Sequence, residues 1–146
     1  MRAQLVYDWE ANHVEPGDRT FLSREAARAL VVEACRFLGI KVPEIQFING
    51  SMAPCSASIT RWKLRITEWG RTRVTLLHEV AHLGSAEAVR AGEDGHGPTF
   101  LAVAISLYSR FLGLDEQTLI TSARRVGLSV GDAPSAKRRS FLDIDF

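Results

Sequence analysis

His78-Glu79-Val80-Ala81-His82 sets two imidazoles and a carboxylate at a spacing that chemistry can use. On an α-helix, residues i and i+4 lie one turn apart on the same face. His78 and His82 can therefore direct two ring nitrogens at one ion. Glu79, beside the first of them, is placed to take a proton from a water activated at that ion rather than to ligate it. A third nitrogen is expected from His96, within Gly95-His96-Gly97-Pro98. Its two glycine neighbours give the backbone freedom to turn the ring inward, and three nitrogens leave a catalytic Zn2+ its fourth position. Glu87 and Glu93 compete for the third place, because some HExxH sites use a later glutamate instead.

The bland alternative is a pair of structural histidines on an amphipathic helix with Glu79 in solvent. The helical context, the apolar flanks and the glycine-flanked histidine that follows all favour the site. One known elaboration is excluded: the metzincin spacing needs a histidine where this chain has Ala88. Asp94 and Glu93 are the candidates to orient the ligand rings through hydrogen bonds. His13, in a polar N-terminal stretch, is expected to be exposed. Arg65, Arg90 and Tyr108 are polar residues near these elements that a substrate could meet, with nothing to choose among them.

Elements must be found that hold this site. Thr72 is a suitable cap for the HExxH helix, whose apolar Val74, Leu77 and Ala81 form a buried side that ends at Gly84. Ser85 to Gly95 reads as a flexible acidic loop. Pro98 fits the first turn of the next helix, which runs to Leu112 before Gly113. Asp115 caps a last helix to about Val126. Upstream, Ser23 caps a helix from Arg24 to Leu38, with Ala27, Leu30, Val31, Ala34 and Leu38 at helical spacing and Gly39 as its stop. Glu44–Ile48 alternates as a strand does. Ile59 to Ile66 reads as one or two strands around a turn at Arg61-Trp62-Lys63, the second being Lys63–Thr67. Lys63–Thr67 is also a candidate to accept an extended peptide by strand addition. Leu5 to Trp9 alternates weakly and is read as a short strand, with a loop from Asn12 to Thr20. The order gives an α+β fold: one small, mostly antiparallel sheet packed on the HExxH helix and its flanking helices. Residues 1–128 make up one domain, and 129–146 a tail, extended or partly disordered.

Composition sets further limits. The 146 residues are 46% hydrophobic and 24% charged, with 18 basic and 17 acidic side chains. Such a chain can bury a sizeable core, and its near-neutral balance argues against a chain-wide footprint for nucleic acid or anionic membrane. Arg124-Arg125 and Lys137-Arg138-Arg139 are short basic runs of the kind that are usually solvated. Cys35 and Cys55 form no CxxC pair and imply no disulfide framework. No stretch has the length of a membrane span, and the N-terminal residues lack the apolar run of a signal peptide, so a cytoplasmic location is expected.

Thr75-Leu76-Leu77-His78-Glu79-Val80-Ala81-His82, followed by Gly95-His96-Gly97-Pro98-Thr99-Phe100, resembles the SprT-like zinc metallopeptidases. Their core pairs an HExxH helix with a later H-G-P-x-F opening the next helix. In length the chain is also similar to small HExxH metallohydrolases known mainly from actinobacteria. The resemblance covers about Thr72 to Phe111. It implies a zincin-like fold, a zinc ion held by His78, His82 and His96, and Glu79 as the base. Two cysteines are too few for the four-cysteine ribbon that many SprT-like proteins carry, so a role on DNA–protein crosslinks is not implied with the core.

The leading expectation is a zinc metallopeptidase acting on a peptide or protein through one catalytic Zn2+. Hydrolysis of a non-peptide amide or ester is the first alternative. A non-catalytic zinc-binding regulatory or interaction module is the second, and Glu79 weighs against it because a structural site needs no base. A nucleic-acid partner has no dedicated module behind it, and no membrane partner is expected.

Overall fold

The computed structural model describes residues 2–18, 20–50 and 53–132. Six helices and a three-stranded sheet form one α+β fold, with the HExxH helix at its centre.

Helix α2 (Arg24–Leu38) has the expected bounds. Ser23 Oγ accepts from the Ala26 amide at 3.0 Å, and Gly39 closes the helix in the left-handed region at φ 71°. Strand β1 (Glu44–Ile48) also runs as expected, followed by β2 (Ser56–Ser58) and β3 (Lys63–Thr67). The turn before β3 includes Trp62 at φ 54°, whose indole N–H donates to the Lys41 carbonyl at 2.7 Å. The strand order is β1-β3-β2, with β1 parallel to β3 and β2 antiparallel to it. The sheet is therefore mixed rather than mostly antiparallel. After β1 the chain passes the central place, lays β2 at the far edge, and returns to insert β3 between them. Both edges of β3 are consequently paired, which rules out the expected strand addition there. The free edges belong to β1 and β2.

Helix α3 (Arg73–Gly84) carries the motif. It packs on α2 on one side, on α5 on another, and on the sheet. Val74, Leu76, Leu77, Val80, Ala81 and Leu83 are all buried, so the helix is apolar nearly all round rather than along one stripe. Gly84 is its last residue and serves close packing: a Cβ there would lie 2.8 Å from both Leu38 Cδ1 and Val103 Cγ1. Thr72 Oγ1 caps Thr75, and the helix start is also held from outside. Buried Asp18, in the N-terminal segment, accepts from the Val74 amide at 3.1 Å and from Arg73 Nε at 2.9 Å.

Beyond α3 the expected acidic loop contains a short helix, α4 (Ala86–Arg90), before the turn to α5 (Pro98–Leu112). Helix α6 (Glu116–Arg125) starts from Asp115, whose Oδ2 accepts from the Thr118 amide at 2.9 Å. The start of the expected tail lies on the domain. Val130 packs against the core, and the Gly131 amide donates to the Pro98 carbonyl at 3.0 Å. The rest of it, residues 133–146 with Lys137-Arg138-Arg139, lies outside the described residues. Arg124 donates to the Val130 carbonyl.

The largest correction is at the N-terminus. Leu5 to Trp9 is not a strand, because Arg2–His13 forms helix α1. Its buried residues are Val6, Trp9 and Glu10, at helical spacing. The Trp9 indole N–H donates to Ser122 Oγ of α6 at 2.9 Å, which ties α1 to the far end of the domain. A three-residue 3-10 turn (Glu15–Gly17) follows within the expected loop.

Two substitutions test how α3 is fixed. Asp18→Ala leaves the buried Val74 amide without an acceptor and should lower the unfolding free energy by about 1–3 kcal/mol. Gly84→Ala should cost about as much, by overpacking α3 against Leu38 and Val103. Urea midpoints of the two variants against the parent chain measure both.

Candidate metal centre

His78, His82 and His96 converge, each offering one ring nitrogen, with the three atoms within 4.8 Å of one another. The first two come from adjacent turns of α3. The third comes from the turn before α5, where Asp94 Oδ1 accepts from the His96 amide at 2.8 Å. Gly97 makes that turn possible, since a Cβ there would sit 2.9 Å from the Asp94 carbonyl oxygen. Phe100, one turn into α5 and buried, lies under all three rings at centroid distances of 4.9, 4.6 and 5.0 Å. It gives the cluster a dry floor that restricts the tilt of each imidazole.

The electrostatics favour neutral rings at His82 and His96. Burial, helped by the neighbouring His78 and His96, pushes the His82 imidazole down to about 3. Burial and His78 also lower His96. His78 goes the other way: burial works against its proton, but a hydrogen bond and the charge from Glu10 outweigh it. Glu10 Oε2 lies 2.7 Å from His78 Nδ1 and accepts the Tyr108 hydroxyl at 2.5 Å. All three side chains are buried. A carboxylate on Nδ1 fixes the N–H there and leaves Nε2 as the lone pair. That Nε2 faces His96 Nε2 at 3.4 Å. Two nitrogens each about 2.0–2.1 Å from one tetrahedral ion lie about 3.4 Å apart, so the donor set fits a metal. Three close histidines can thus bind a metal ion.

Glu79 is 8% exposed and lies beside the cluster. Burial pushes its carboxyl up to about 7, with His78 pulling it down and Glu10 pushing it up. Two pockets, of about 320 and 350 Å³, meet at Glu79 and share Tyr7 and Cys55. The first also reaches Glu10 and His78, and the second reaches His82, Gly95 and the β2 residues Ser56 and Ala57. Tyr7 stacks on the His78 ring at 5.3 Å and meets His96 edge-on, so its phenol walls the cleft. Burial, with Glu79 and Glu10 nearby, raises that phenol and keeps its proton on.

The other expected roles resolve as follows. Glu93 is engaged elsewhere: its carboxylate accepts from the Thr99 amide at 2.6 Å and from Thr99 Oγ1 at 3.0 Å, capping α5. Glu87 lies outside the cluster, against a separate pocket beside Leu83 and Ser85. Neither Glu93 nor Asp94 bonds to a ligand ring; that position belongs to Glu10, on the helix read as a strand. Tyr108 is buried on Glu10 rather than in a cleft, and Arg90 donates to the Ile59 carbonyl at 2.9 Å. His13 is exposed, at the end of α1.

No protein-family model, curated protein or solved structure matches this chain. The centre therefore rests on its own geometry. Glu10→Ala should weaken binding of Zn2+ by about 10–100-fold, because His78 loses the partner that fixes its tautomer. Titration against a chromophoric chelator measures this, with circular dichroism showing that α1 stays folded.

Proposed function

We propose that this protein is a zinc-dependent metallohydrolase of the SprT-like kind, and that it acts as a peptidase. The carrying observation is the pair of facing ring nitrogens 3.4 Å apart, with buried Glu79 at the junction of two pockets beside them. His78, His82 and His96 would hold the ion. When bound, zinc supplies a Lewis acid that polarises a carbonyl and brings the pKa of a water toward neutrality.

The chain's own residues do the rest. Glu79 takes the proton of the attacking water on its carboxylate and passes it to the leaving amine. A carboxyl raised toward neutrality suits both halves of that task. Glu10 holds His78 in one tautomer, and Phe100 keeps water from beneath the rings. Tyr7 narrows the cleft from above.

A peptide is favoured over a small amide by the shape of the surroundings. The two pockets continue one another across Glu79, as an extended chain with side chains on both sides requires. Ser56 and Ala57 of the edge strand β2 line the second pocket, and an edge strand keeps backbone groups for a peptide strand where the central β3 keeps none. Among the described residues no helix is long and apolar enough to cross a membrane.

Purified protein should carry zinc near one equivalent, and His96→Ala should lose it. Glu79→Gln should retain the metal while its rate of peptide cleavage falls by about 10²–10⁴-fold. Elemental analysis and a mass-spectrometric peptide-library digest read the two effects. Equal cleavage by Glu79→Gln and the parent would remove Glu79 from the mechanism.

A further inference from the structure

The pocket that reaches Glu79 from the side of β3 ends on a feature the hydrolytic reading leaves unused. Trp69, in the 3-10 turn Glu68–Gly70 after β3, is 60% exposed at the pocket. Phe21 is 53% exposed and braces it edge to face, with centroids 6.3 Å apart and planes at 80°. Two large aromatic rings left in solvent together mark a contact surface more often than chance. Trp69 lines a pocket that the candidate base Glu79 also lines.

We propose that this pocket is the subsite for one bulky apolar side chain, aromatic or long aliphatic, of the peptide that crosses the histidine cluster. The inference rests on the proposed peptidase reading and names the substrate feature that reading lacks.

Size and lining support it, and charge argues against an acidic occupant. About 320 Å³ is at the small end of ligand pockets, which suits a side chain rather than a cofactor. Pro54, Val74 and Trp69 give it apolar walls. Its shape is fixed by close packing: a Cβ on Gly70 would lie 2.1 Å from Cys55 Sγ, and Cys55 Sγ accepts from the Thr67 amide at 3.4 Å. The ionisable side chains that line it are Tyr7, Glu10, Glu15, Cys55, His78 and Glu79, with no lysine or arginine among them. An acidic side chain would meet carboxylates with no cation to pair with. A basic one would meet Glu15 and Glu79, and the lysine peptide below tests that occupant directly. An apolar ring against Trp69 needs no partner.

The test uses the full chain carrying Glu79→Gln, so that binding is read without cleavage. Blocked pentapeptides of alanine with a central phenylalanine, alanine, lysine or aspartate are titrated by calorimetry, and the Trp69 indole resonance is followed by NMR. The phenylalanine peptide should bind at least about tenfold more tightly than each of the others and shift the Trp69 signal. Adding Trp69→Ala should remove that preference, and Trp69→Phe should restore most of it. Equal affinities, tighter binding of the lysine peptide, no binding at all, or a preference that survives Trp69→Ala would each overturn the proposal. A wild-type protein that shows this preference yet cleaves nothing would instead sink the peptidase reading and leave the subsite standing.

Discussion

The Glu10 carboxylate, buried between α1, α3 and α5, is the constraint on which the rest of the centre depends. Taking a carboxylate out of water costs several kcal/mol unless donors replace the water. Here the donors are His78 Nδ1–H from α3 and the Tyr108 hydroxyl from α5. Each donor comes from a different helix, so the charge is tolerated only where all three pack together. The same contact that lets α1 dock fixes the tautomer of the first ring of the cluster. Packing and site chemistry are thus one interaction, and Trp9, one residue away, anchors the same helix to α6.

Helix α3 adds the second constraint. A helix that is apolar nearly all round must be enclosed, and α2, α5 and the sheet enclose it. Enclosure leaves little room for polar groups, and those at the two ends of the helix are matched. Asp18 meets the amide at its start, and Ser85 Oγ donates to the Ala81 carbonyl at its end. His82 makes a hydrogen bond with the Gly95 backbone. The close approach at Gly84 brings α5 near enough for Phe100 to lie beneath rings carried by α3. Close packing around α3 thus positions the rings of His78 and His82.

How much of this was legible in the sequence depended on whether signals were local. Helices α2 and α5 were readable to the residue because cap, period and stop all lie within their own segments: Ser23 with Gly39, and Pro98 with Gly113. The three histidines were readable for the same reason, since i, i+4 spacing and a glycine-flanked third ring are local patterns. Helix α1 was not. Its inward face is Val6, Trp9 and Glu10, and a buried glutamate interrupts the apolar stripe by which a helix is recognised. What remained, Leu5, Tyr7 and Trp9, imitates a strand. The signal that could have revealed it is the same glutamate, read as a polar residue at a core position one turn from Val6. The sheet order was illegible for another reason: nothing local tells β2 to take the edge and β3 the centre.

Glu10 and Glu79 show how one residue type acquires two environments at one histidine. Both are buried and both act on His78 through their charge. Glu10 accepts two hydrogen bonds, both at Oε2. Glu79 gains no donor among the described residues, so burial dominates and its carboxyl rises to about 7. A carboxylate held by hydrogen bonds from two helices is fixed in orientation. Glu79, without such bonds, lines two pockets instead. The difference comes from which neighbouring helix supplies an N–H or O–H, and not from the sequence position of either acid.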